Sequence, residues 1–174
     1  MEQTSTTIVP WKENAVTHDH GCGCGHDHEH TQVEQGASST EPISAELDQL
    51  ACDAIGMALD KLALGEGIWP TLFLLGEDGS AEYFVFEDDG LDVCLVQARA
   101  SVKELGKDAR CYALYYDGFF RGDDDLANNA LVVEFAERGM ETAYSAIVAY
   151  GNPGDESDFW YDEPVAGGAE EMLL

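Results

Sequence analysis

The chain has 174 residues and carries 35 acidic against 8 basic side chains, a formal net charge of -27 at pH 7. That length suits one domain with tails. Such a field repels phosphate backbones and anionic lipid headgroups, which excludes nucleic acid and membrane surfaces as expected partners and favours cations and basic proteins.

The first eleven residues lack the basic region and the apolar stretch of a signal peptide, and no later run reaches membrane-spanning length, so a cytoplasmic location is expected. Residues 1–42 are polar and rich in Thr, Ser, Gln, Glu and Gly. A segment of that composition cannot bury enough surface to offset its ordering entropy, and it is expected to be disordered without metal.

Within it lies the densest chemistry of the chain. All five histidines, His18, His20, His26, His28 and His30, fall in thirteen consecutive positions together with Cys22 and Cys24, two of the five cysteines. His-x-His and Cys-x-Cys put donors on the same side of an extended backbone, and the interleaved Gly21, Gly23 and Gly25 permit the bends that gather several pairs around one ion. Imidazole suits zinc, copper and nickel, and thiolate adds preference for zinc or Cu(I) over magnesium or calcium. Asp19, Asp27 and Glu29 can add oxygen ligands or orient a ligating imidazole through its second ring N–H. A tetrahedral site from Cys22, Cys24 and two histidines is the first expectation for Zn²⁺. The pattern is compositional; it lacks the Cys-x₂-Cys and spaced histidine pair of a zinc finger. Two plainer readings stand beside it: a solvated acidic tail with incidental affinity, and a reversible Cys22–Cys24 redox pair, which has no basic neighbour to depress a thiol pKa.

The tract resembles the His/Cys-rich tails of nickel-handling proteins, such as urease and hydrogenase accessory factors and the tailed prolyl isomerases that assist them. The resemblance covers positions 18–30, and it implies nickel delivery by analogy. The spacer 31–42, as a flexible chain, spans roughly 20 Å, which would keep a bound metal near the domain surface.

The ordered domain is expected over 43–152. A helix is predicted over 44–64, with Ser44 as cap, Glu46 and Asp48 in the first turn, and Leu47, Leu50, Ala51, Ala54, Ile55, Ala58 and Leu62 on one stripe; Gly65 and Gly67 end it. Strands over 69–75 and 81–86 flank Glu77-Asp78-Gly79-Ser80, a hairpin signal because Asp-Gly tolerates positive φ. A second helix over 90–105, with Asp88 or Asp89 near its start, carries the narrow seam Leu91, Leu95, Ala98, Val102 and Leu105. Strands over 109–120, 130–136 and 142–150 follow, the last two joined at Arg138-Gly139-Met140. The order α-β-β-α-β-β-β predicts an α+β fold: an antiparallel sheet of about five strands with two helices on one face. Several strands are apolar on both sides, so the opposite face would need another layer, the tails or a second copy, and a homodimer through the sheet is the expectation.

Residues 153–174 hold seven acids and no base and are expected to form a mobile acidic tail, with Phe159-Trp160-Tyr161 folding back onto the domain or serving a partner. No histidine stands in the domain and no catalytic or phosphate-binding signature is present, so nothing points to an enzyme. Cys94 and Cys111 read as small core residues, and with an odd cysteine count reduced thiols are expected. The acidic run from Asp123 to Asp125, with Glu134 eleven positions on, fails as a calcium loop because Ala127 takes a ligand position and Asn128 the turn glycine. Two functions follow: a cytosolic zinc- or nickel-binding protein that stores, buffers or delivers the ion to a client, or an acidic adaptor, inhibitor or immunity-like module that engages a basic partner.

Overall fold

Helix α1 (Ala45–Ala63) starts where Ser44 Oγ accepts from the Leu47 N–H at 3.1 Å, with Glu46 and Asp48 against the positive end of the helix dipole. Leu47, Leu50, Ala51, Ala54, Ala58, Leu59 and Leu62 are its buried residues. It ends on a contact between two glycines. Gly65 and Gly154 both take positive φ, and a Cβ on Gly65 would stand 2.9 Å from Gly154 Cα. The closeness lets the Gly154 N–H donate to Leu62 O at 2.9 Å, satisfying one of the orphan carbonyls at the helix terminus.

The computed structural model describes residues 9–10, 43–87, 90–121 and 127–174. Strand β1 (Val9–Pro10) precedes α1; β2 (Thr71–Gly76) and β3 (Ala81–Val85) form the expected hairpin; helix α2 (Leu91–Leu105) and a 3-10 turn over Gly106–Asp108 follow; then come β4 (Ala109–Arg121), β5 (Ala127–Glu137), β6 (Ala143–Gly151), β7 (Trp160–Tyr161) and β8 (Val165–Glu170). The sheet runs β1-β3-β2-β4-β5-β6-β7, with β8 also paired to β6. Every described pairing is antiparallel. The α+β class and the antiparallel sheet are as expected.

The sheet is larger than the predicted five strands, and the acidic end is the reason. Instead of a free tail, residues 153–174 supply β7 and β8. Small side chains make this close fit: a Cβ on Gly167 would stand 2.5 Å from Ser145 Oγ. Leu173 is buried and Met172 and Leu174 pack beside it. Phe159 joins the core beneath α1, while Trp160 lies on Gly151. Of the aromatic cluster, Phe159 thus folds back, while Trp160 and Tyr161 stay exposed.

A second difference is the side on which the helices lie. Residues 111–115 are all buried, and they alternate: Cys111, Ala113 and Tyr115 pack with α1, and Tyr112 and Leu114 pack with α2. Phe73 likewise joins the α1 side, and Leu72 and Leu74 join the α2 side. The two helices therefore cover opposite faces, not one. Topology explains it: β3 and β4 flank β2 and are both antiparallel to it, so they run parallel to each other and need a crossover, which α2 provides on one face. The bare second face that motivated a homodimer is thus occupied along β2 and the first part of β4.

Helix α2 buries less than its seam predicted. Cys94, Ala98 and Val102 are buried, whereas Leu91 and Leu105 at its ends stand 44% and 48% exposed. Asp88 and Asp89, expected near its start, lie outside the described residues.

Candidate functional site

The seven expected metal ligands, His18, His20, Cys22, Cys24, His26, His28 and His30, lie outside the described residues. The flanks of their segment are placed. On one side Val9 and Pro10 pair with Tyr83 and Glu82 of β3; on the other the chain enters α1 through Ser44. Among the described residues no group of three or more His, Cys, Asp and Glu side chains is arranged to hold a metal ion.

A concentrated polar cluster in the described body sits where Arg99 of α2 reaches Glu134 of β5. Glu134 is a charged residue in the apolar run 131–136 and is 1% exposed. Arg99 of α2 reaches over it, donating through Nε at 3.2 Å to one carboxylate oxygen and through Nη2 to the other. Tyr116 adds its hydroxyl at 2.7 Å, and the guanidinium stands 6.0 Å from the Tyr116 ring centroid. The bond to Glu134 raises the Arg99 pKa, and burial followed by the Glu134 carboxylate raises that of the Tyr116 hydroxyl. The arrangement keeps Arg99 charged and Tyr116 neutral at neutral pH.

Beside this pair Ser145 donates to Glu170 at 2.9 Å and Lys103 to Glu171 at 3.0 Å. Arg99, Glu134, Glu170, Glu171 and Leu173 enclose a cavity of about 50 Å³, far below the roughly 300 Å³ at which small-molecule pockets begin. Both oxygens of Glu134 are engaged by donors. The cluster therefore works as an ion pair that fastens α2 to β5; a buried carboxylate without such a partner would be costly. In sequence Glu134 stood out only as the last position of the rejected calcium loop, and its partner 35 positions earlier had no local signal.

The thiols agree with a packing role. Cys94 and Cys111 are free and fully buried, and burial, with Glu137 adding, pushes the Cys111 thiol up to about 11. A thiol so shifted is poor in thiolate, the nucleophilic form. Cys52 is exposed on α1. Of the rejected calcium loop, Glu134 is taken by Arg99, and Asp123, Asp124 and Asp125 lie outside the described residues.

No helix among the described residues is long and apolar enough to cross a membrane. No family model, no curated protein and no solved structure matches the chain.

Proposed function

We propose that the chain is a cytosolic transition-metal-binding protein in which Cys22, Cys24 and the five histidines capture Zn²⁺ or Ni²⁺ as cargo and the α+β domain presents that cargo to a client. One observation carries the reading: every histidine and two of five cysteines occupy thirteen consecutive positions. The donor set is chemically suited to these ions, since imidazole and thiolate match borderline-soft cations and the neighbouring carboxylates favour positive charge. Open donors exchange readily, which suits storage, buffering or hand-over. The placed flanks support a tethered carrier, because the chain lies against the domain on both sides of residues 11–42.

Calorimetric titration of the reduced full chain with Zn²⁺ and Ni²⁺ tests this. Uptake at pH 7.5 is expected to weaken as pH falls through about 6.5, where an unperturbed imidazole protonates. Deleting residues 18–30 is expected to abolish it. Unchanged metal stoichiometry after that deletion would overturn the proposal.

A further inference from the structure

The α2 side of the sheet is covered unevenly. From Tyr116, which Arg99 of α2 still reaches, to the sheet edge, four strands present one apolar side chain each in the same register: Tyr116 of β4 faces Val132 of β5, Val132 faces Ile147 of β6, and Ile147 faces Val165 of β8. None of the four is fully buried, and Val165 is 54% exposed. On the same face the Trp160 indole lies over Gly151, where no Cβ fits beneath it. The corner between β7 and β8 is held by the Asp162 N–H donating to Ala149 O at 2.9 Å. Ile147, Ala149 and Val165 thereby form apolar walls of a cleft of about 140 Å³, and Asp162 and Glu163 complete its lining.

We propose that this cleft receives a lysine or arginine side chain presented by a basic protein partner. Its volume suits one long side chain and is well short of the roughly 300 Å³ of a metabolite pocket. Lysine and arginine lay an aliphatic stem on apolar surface and keep the charged head at a polar edge; Ile147 and Val165 offer the first, Asp162 and Glu163 the second. Trp160, 44% exposed and on the same face as Gly151, offers a ring face to a cation beside the cleft. The charge of the chain, -27 in all with seven acids and no base in residues 153–174, attracts such a partner from a distance and repels acidic competitors.

None of the lining residues belongs to residues 18–30. The test follows the methyl resonances of Ile147 and Val165 while the metal-free full chain is titrated with a short peptide of alternating lysine and alanine. A general polyanion would lose affinity equally wherever two charges are removed. A docking cleft would not. D162N/E163Q is expected to weaken binding by about tenfold or more, against less than about twofold for E66Q/E77Q, which removes the same charge elsewhere. A149M fills the cleft at constant charge and is expected to match the first variant. In the wild-type chain the Ile147 and Val165 methyls are expected to shift while those of the exposed Leu64 stay, so the answer does not depend on a variant that folds. Deleting residues 18–30 is expected to leave binding unchanged. Equal losses in the two double variants, methyl shifts spread over the whole surface, no binding, or a second copy of the chain seated on the cleft by light scattering would each overturn the proposal.

Discussion

The two faces of the sheet solve the same burial problem differently. Under α1, Phe73, Ala113, Tyr115, Leu131, Val133 and Val148 form an apolar core. Under α2 the burial includes a charge, Glu134, and part of the covering is done by an ion pair and by Met172, Leu173 and Leu174. The first face gains from every methylene removed from water. The second holds its helix by a pairing whose desolvation cost offsets much of its attraction. A sheet can thus keep one face for stability and leave the other partly open for contact.

The difference sets the sizes of the expected effects. Phe73→Ala removes a ring from the α1 face, where neighbours leave little room to collapse, and is expected to cost about 3–5 kcal/mol in urea unfolding. Arg99→Met, on the other face, leaves Glu134 with Tyr116 alone; because the Arg99 side chain is 41% exposed and water reaches it, the loss is expected to be about 2 kcal/mol, below the range for a fully buried pair. Arg99→Met with Glu134→Leu removes both charges and is expected to return to within about 1 kcal/mol of the parent. If the double variant is as weak as the single one, the pairing is more than a fastening.

Alkaline pH probes both faces at once. Burial raises the hydroxyl pKa of Tyr112 on the α2 side and of Tyr115 on the α1 side. The folded state then keeps protons that the unfolded chain releases above about pH 10. Stability is therefore fully present below that pH and falls above it, by about 1.4 kcal/mol per pH unit for each such tyrosine until the folded hydroxyls titrate. Urea midpoints between about pH 9 and pH 11 would show the fall, and Phe at either position should remove one share of the slope. The smallest effect is the most local: the Tyr112 hydroxyl is buried with no hydrogen-bond partner among the described residues, so Tyr112→Phe is expected to raise stability at neutral pH by about 1 kcal/mol or less.

Local signals carried most of the element positions. Ser44 with the Leu47–Leu62 stripe marks α1, and Asp78-Gly79 marks the β2–β3 turn, where Gly79 takes φ 79°. Placement was harder, because it depends on partners distant in sequence. Apolar runs such as Leu72-Phe73-Leu74-Leu75 implied that both faces need burial, yet nothing local said which helix covers which. The acidic composition of 153–174 concealed β8, since Ala166-Gly167-Gly168-Ala169 carries no strand propensity and pairs only because β6 accepts a close neighbour. The proposed metal-ligand tract was legible as chemistry because ligand types can be counted. The cleft by Asp162 was not, because its walls come from two strands whose register had to be known.

The meeting of Gly65 with Gly154 ties the opposite ends of the domain into one buckle. The segment between β6 and β7 passes the tip of the first helix, lends it a backbone donor and places Phe159 under it, so severing the chain after residue 152 would loosen an element nearly a hundred residues upstream. A hydrophilic stretch that looks expendable by composition is in this protein a clasp on the helix that opens the fold.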